Sequence, residues 1–203
     1  MTTYIWDLDG TLLDSYGVIT AAAAETAAEA GQKDSEDLVY RAVKQDSVTG
    51  YLKDVSARSG ETFEKLMGRY RFHTHAHDDL ITLTDGAAEA LERLRKAGSL
   101  HFVYTHRGSS SEPILRRLGI LEYFREVVTA EYRLAPKPSG DGVRYLLDKY
   151  GLDPLNTWYA GDRTLDVLCA KDAGVKALLY LPAGSCVSAT GQEDRIIRDL
   201  GEL

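Results

Sequence analysis

The chain has 203 residues, 44% of them hydrophobic and 27% charged, which supplies a core of ordinary size and excludes a disordered, collagenous or low-complexity protein. With 24 Lys and Arg against 31 Asp and Glu the formal net charge is −7, a balance that disfavours nucleic acid or an anionic membrane as partner. No apolar run is long enough for a membrane helix, the first residues lack a secretory signal, and Cys169 and Cys186 form no CxxC motif, so the expectation is a cytoplasmic protein with two free thiols.

In chain order, the first predicted element is a short β-rich run, Thr3–Asp7, ending in an acid. Residues 15–80 contain no convincing strand. They read instead as four helices over Val18–Ala30, Ser35–Lys44, Val48–Ala57 and Thr62–Phe72. From about residue 81 helix and strand alternate. The predicted helices are Gly86–Ala97, a segment capped by a Ser109-to-Glu112 box, the stretch carrying Val143, Leu146, Leu147 and Tyr150, and Leu165–Ala173. The predicted strands are His101–Thr105, Glu126–Thr129, Thr157–Ala160 and Ala177–Leu181, each short and apolar enough to be buried on both faces. This alternation predicts an α/β fold: a Rossmann-like, three-layer core with a mostly parallel sheet, plus a small all-helical domain inserted after the first strand. The core would comprise residues 1–14 and 81–203, and the insert residues 15–80.

Four segments fall at or just beyond predicted strand ends, where open parallel sheets bind ligands. In Asp7-Leu8-Asp9-Gly10-Thr11-Leu12 two carboxylates flank one apolar residue, so that one can act as nucleophile and its neighbour as proton donor and acceptor. In Tyr104-Thr105-His106-Arg107-Gly108 a hydroxyl and the backbone N–H groups entering a helix can hold phosphate oxygens. In Ala135-Pro136-Lys137-Pro138-Ser139 two prolines keep a lysine in extended backbone, from which it can neutralise a phosphoryl dianion. In Gly161-Asp162-Arg163-Thr164-Leu165-Asp166 two carboxylates four residues apart are expected to share a face of a helix's first turn and can bind a hard cation such as Mg²⁺. Acid pair, hydroxyl, lysine and acid pair, in that order, make an inventory for phosphoryl transfer.

This series resembles the four motifs of the haloacid dehalogenase superfamily, in its phosphatase branch of the phosphoglycolate phosphatase-like kind with a helical cap. The match runs from residue 7 to 166, with Thr105 and Lys137 as the second and third motifs. The resemblance implies a Mg²⁺-dependent hydrolase of a small-molecule phosphomonoester. Asp7 would be the nucleophile that forms an aspartyl-phosphate, and Asp9 the general acid and base. Asp7, Asp9 through its carbonyl, Asp162 and Asp166 would serve the metal. Thr105 and the His106 backbone would bind phosphoryl oxygens, and Lys137 would pair with Asp7 and the phosphate. The sequence departs from the family in having His106 where Asn is frequent, Gly140 where a second proline is common, and Asp85 where Pro often precedes Gly86. An acid at position 9 points to a phosphatase or a sugar phosphomutase. A non-catalytic phosphate-binding or signalling domain is the reading from another class. Tyr16, Lys44, Ser47 and Thr49, the last three in an expected inter-helix loop, are the candidates for substrate specificity. His73, His75 and His77 read as solvated histidines, since helical spacing scatters them.

Overall fold

Strand-forming runs and helical stripes alternate through the computed structural model, which describes residues 1–203. The strands are β1 (Thr3–Trp6), β2 (Leu13–Asp14), β3 (Thr82–Leu83), β4 (Leu100–Tyr104), β5 (Phe124–Val128), β6 (Thr157–Gly161), β7 (Lys176–Tyr180) and β8 (Arg195–Ile197). The α-helices are α1 (Tyr16–Glu29), α2 (Glu36–Gln45), α3 (Val48–Ser59), α4 (Phe63–Ala76), α5 (Ala87–Lys96), α6 (Ser111–Arg117), α7 (Asp141–Tyr150) and α8 (Thr164–Asp172). None of them is long and apolar enough to cross a membrane. The chain divides into two units, Met1–Asp14 with Thr82–Leu203, and Ser15–Ile81.

The first unit is a Rossmann-like α/β core. Its six-stranded sheet has the order β5-β4-β1-β6-β7-β8, and every ladder in it is parallel. β1 lies at the centre, with Ile5 between Phe102 of β4 and Tyr159 of β6. Tyr4, Ile5 and Trp6 are all buried, which is why β1 shows no polar alternation. Successive side chains point to opposite faces. Ile5, Phe102, Tyr159 and Leu179 meet Val143 and Leu146 of α7 and Val167 and Ala170 of α8. Trp6 stacks on His101 and donates its indole N–H to His101 Nδ1 at 3.1 Å, and burial holds that imidazole down to about 4, so it is neutral. The short antiparallel pair β2–β3 stands apart from the large sheet. Cys169 and Cys186 are both free thiols.

One local expectation fails here, and one edge strand was not expected. The Ser109-to-Glu112 capping box does not form: α6 begins at Ser111, and the Ser109 N–H donates instead to Glu131 Oε1 at 2.9 Å. The edge strand β8 carries only Arg195, Ile196 and Ile197, too short a run to rise above its polar surroundings in the sequence.

The second unit is all helical. Ile19, Ala23 and Ala27 of α1 pack with Val39 and Val43 of α2, Leu52 and Val55 of α3 and Leu66 of α4. Three helix starts are satisfied by side chains: Ser35 accepts from Leu38 N–H at 3.3 Å, Ser47 from Gly50 N–H at 2.9 Å, and Thr62 from Lys65 N–H at 3.4 Å. Asp34 accepts from both Arg58 (Nη2, 2.6 Å) and the Tyr51 hydroxyl (2.9 Å), which ties the α1–α2 connection to α3. His73 is not solvated. It is buried with one ring nitrogen 3.3 Å from Glu25 and the other 3.1 Å from Glu29, whereas His75 and His77 are exposed.

Candidate active site

The site is built at the carboxyl end of the central strand. Asp7 follows β1 directly, and its N–H continues the ladder to the Ala160 carbonyl at 2.8 Å, so the carboxylate inherits the rigidity of the sheet. The turn after it is tight. The Leu8 carbonyl accepts from Thr11, Leu12 and Leu13 N–H at 3.1, 3.0 and 2.9 Å. Gly10 sits at φ 80°, a conformation that disfavours any residue with a Cβ.

Lys137 is the hub. Its side chain is fully buried, with Nζ 2.9 Å from Asp7 Oδ1 and 2.7 Å from Asp166 Oδ1. The rings of Tyr159 and Tyr104 lie beside the ammonium, at 5.6 and 5.9 Å from Nζ to their centroids. Both tyrosines are themselves fixed: Tyr159 donates to the Tyr104 carbonyl at 2.8 Å and Tyr104 to the Ala135 carbonyl at 3.0 Å. The Lys137 main-chain N–H donates to His106 Nε2 at 2.8 Å. That imidazole must therefore be neutral and carry its proton on Nδ1. Withdrawal of the ring from water pushes its pKa down, and Lys137 and Arg163 push it further, although part of the residue's surface is exposed. The His106 side chain thus holds the lysine loop, a contact absent from the sequence-based expectation.

Asp162 directly follows β6 and Asp166 lies in the first turn of α8. Asp162 therefore precedes the helix, and the expected sharing of one helix face is replaced by a loop that folds back. Asp166 Oδ2 accepts the Arg163 N–H at 3.0 Å, and Thr11 donates to Asp162 Oδ1 at 3.2 Å. Gly161 makes this approach possible, since a Cβ there would stand 2.3 Å from the Asp166 carboxyl carbon. One oxygen each of Asp7, Asp162 and Asp166 lies within 4.8 Å of the others, and all three residues are buried.

The electrostatics follow from burial. Asp7 is raised to about 6, with desolvation the main cause and Lys137 opposing it. Asp166 is held below the ordinary carboxylate range, because Lys137 and Arg163 outweigh its burial. Burial would lower Lys137, but Asp166 and Asp7 override it and the net direction is upward. Asp7 Oδ2 is buried and accepts no hydrogen bond from the chain. An acidic cluster with such an oxygen is a donor set fitted to a hard divalent cation, which prefers carboxylate ligands.

Asp9 is clamped by Arg107. Nε lies 3.1 and 3.2 Å from its two oxygens, and Nη2 lies 2.7 Å from Oδ1. Thr105 is buried, and its Oγ1 accepts the Arg107 N–H at 3.1 Å. Arg107 and Arg163 are the charged groups that sequence reasoning passed over. Both stand inside the quoted segments, but no spacing rule joins residue 107 to residue 9.

The remaining specificity candidates lie in the helical unit. Lys44 belongs to the last turn of α2 and Thr49 to the first turn of α3, so only Asp46 and Ser47 separate the helices and the expected loop is nearly absent. Ser47 is the N-cap of α3. Lys44 is buried, with Nζ 4.0 Å from the Tyr16 ring centroid. Thr49 is exposed.

Comparison with known proteins agrees with this arrangement. The chain is 32% identical to pyrophosphatase PpaX of Bacillus velezensis, over all of this chain and 94% of that protein. It is 30% identical to a phosphoglycolate phosphatase of Vibrio parahaemolyticus, over 83% of this chain and 78% of that one. Among solved structures, that of a predicted phosphoglycolate phosphatase from Haemophilus somnus superposes with a TM-score of 0.85 at 22% identity, covering 100% of this chain and 96% of its own. The family model for haloacid dehalogenase-like hydrolases matches residues 4–180, and the chain belongs to that family, in its phosphoglycolate phosphatase-like branch.

Proposed function

We propose that the protein is a Mg²⁺-dependent phosphatase that hydrolyses a small phosphomonoester through an aspartyl-phosphate on Asp7. The observation that carries this reading is the state of Asp7: fixed at the end of β1, paired on one oxygen with Lys137, and left without a hydrogen bond on the other. A buried carboxylate fixed through one oxygen by a lysine, with the other open to a cation, is held in one orientation for attack. The phosphatase relatives support the reaction class.

In the first half-reaction an Asp7 oxygen bonds to phosphorus while the bond from phosphorus to the leaving oxygen breaks. That oxygen takes its proton from Asp9. In the second half-reaction Asp9 accepts a proton from water, whose oxygen attacks phosphorus, and the bond to Asp7 breaks to release phosphate. Lys137 holds Asp7 and offsets charge on the transferring group, and Thr105 with the His106 main chain receives its oxygens. Asp7, the Asp9 carbonyl and Asp162 would hold Mg²⁺, with Asp166 in support. The ion would supply charge neutralisation at the phosphoryl oxygens.

The test is phosphate release from a panel of phosphomonoesters, with Mg²⁺ and after chelation, for the wild type and Asp9→Asn. Chelation is expected to lower release by about 100-fold or more. Asp9→Asn is expected to lower it by about 10²- to 10⁴-fold. Metal-independent release, or an unimpaired variant, would contradict the reading. Transfer between sugar positions without free phosphate would assign the site to a mutase.

A further inference from the structure

His73 of α4 is 9% exposed and lies between two carboxylates of α1. Its Nε2 is 3.1 Å from Glu29 Oε1, and its Nδ1 is 3.3 Å from Glu25 Oε2. An ionised carboxylate only accepts, and a neutral imidazole has a single N–H. A neutral ring can therefore satisfy one of these contacts. The other sets a nitrogen lone pair against a carboxylate oxygen, a repulsion that a cation between the two turns into attraction. Glu29 is the carboxylate that the ring donates to: it makes the shorter contact, and Arg69 Nε already stands 3.6 Å from its Oε2. Nδ1, with its lone pair, is then aimed at Glu25.

The helix gives an independent sign. Glu25 and Glu29 are four residues apart near the carboxyl end of α1, whose last turn holds no basic residue. Like charges at that spacing repel, and the helix dipole is itself negative at that end. Arg69 offsets the charge of Glu29, and Glu25 is left to the ring. Helix stability does not account for these two acids, whereas a cation bound beside them does.

We propose that Glu25 and His73 hold a borderline divalent cation of the Zn²⁺ class, through a carboxylate oxygen and Nδ1, with Glu29 orienting the ring through Nε2–H. Two ligands about 2.0–2.2 Å from one ion at a tetrahedral angle stand about 3.4 Å apart. The distance from Nδ1 to Glu25 Oε2, 3.3 Å, matches that span. A carboxylate on the second nitrogen of a ligating imidazole fixes its tautomer and raises its basicity, which is the part Glu29 takes. The Glu25 side chain is 55% exposed, so the ion enters from solvent and water completes its coordination. Imidazole suits Zn²⁺, Co²⁺ or Ni²⁺, whereas Mg²⁺ keeps to oxygen ligands and water. Bound there, the ion ties α1 to α4, the first and last helices of the helical unit. The proposal is independent of the hydrolase reading, since all three residues belong to that unit.

The test titrates zinc chloride into the metal-free full chain by calorimetry near neutral pH, with excess Mg²⁺ throughout. It uses the wild type, Glu25→Gln, Glu29→Gln and His73→Gln. Glu25→Gln is expected to bind one Zn²⁺ about 10-fold or more weakly than the wild type. Any Zn²⁺ held by the acids of the core is common to both proteins and cancels. Glu29→Gln keeps an acceptor for Nε2–H and should lose less. Glu25→Gln changes an exposed side chain, so it decides the question even where His73→Gln does not fold. The second readout is the ¹⁵N spectrum of the imidazoles. On addition of Zn²⁺ the His73 Nδ1 resonance should move and Nε2 should stay protonated, and lowering the pH should reverse the change as protons displace the metal. Equal Zn²⁺ affinity in the wild type and Glu25→Gln, or His73 resonances that do not respond to Zn²⁺, would overturn the proposal and leave a proton as the cation between ring and carboxylate.

Discussion

The two units use charge in opposite ways. In the α/β core Asp7, Lys137, Asp162 and Asp166 are all buried, where each ion carries a desolvation cost of several kcal/mol. Hydrophobic residues of similar volume would fold at least as well there. In the helical unit, Lys44 and His73 apart, the charges sit mostly at or near the surface and serve the helices themselves, as in the i, i+4 pairs Arg41–Asp37 and Arg58–Asp54 and the Asp34 anchor between Arg58 and Tyr51. Burial without structural need marks the first group as chemistry. Exposure with a structural partner marks the second as architecture.

Substitutions should separate the two groups. The largest effect is expected from Asp7→Asn, which removes the proposed nucleophile and should lower phosphate release by on the order of 10⁴-fold or more. Its melting temperature should not fall, because Lys137 keeps Asp166 at 2.7 Å and one desolvated charge is gone. A variant both inactive and unfolded would blur the contrast, and circular dichroism during a thermal scan checks this.

Lys137→Met sharpens the comparison from the other side. It leaves Asp7 and Asp166 without their shared cation, so activity should fall by roughly 10²- to 10³-fold. Stability at neutral pH should fall by about 3–5 kcal/mol, measured by denaturant unfolding. Loss of activity with unchanged stability would show that the buried triad is not held as the geometry implies.

The smallest effect is expected in the helical unit. Hydrogen bonds from Arg58 hold Asp34 below the usual carboxylate range. A group whose folded pKa is depressed contributes stability that is present above its unfolded value of about 4 and is lost as pH falls through the lower folded value. Asp34→Asn should therefore cost about 1–2 kcal/mol near neutrality and progressively less below about pH 4, read from thermal melts across pH. A cost that does not change with pH would mean that the anchor is not ionic.

How much of this was legible in the sequence depends on distance along the chain. The five central strands and eight helices announced themselves through local apolar periodicity, and their observed ends lie within a few residues of the expected ones. The segments that form the site were visible because the acids, the hydroxyl and the lysine stand in short, recognisable strings. What linked them was visible only in part. The resemblance implied that Lys137 pairs with Asp7, but nothing near residue 137 says that its amine also reaches Asp166, or that the side chain of His106 accepts its main-chain N–H. The Asp9–Arg107 clamp spans 98 residues, a separation at which no periodicity operates. In the helical unit, serine and threonine near helix starts read equally as caps and as ligands. Only the bond from Gly50 N–H to Ser47 Oγ decides for the cap.

The central claim is that Asp7 becomes phosphorylated, and the most direct measurement is rapid-quench kinetics of Asp9→Asn with p-nitrophenyl phosphate. That leaving group departs without a proton, so the variant should still form the intermediate, but it lacks the base that activates water. The account predicts a burst of p-nitrophenolate stoichiometric with enzyme and a hydroxylamine-labile phosphate on the peptide containing Asp7. Steady release with no burst and no protein-bound phosphate, from a variant that still turns over, would contradict it.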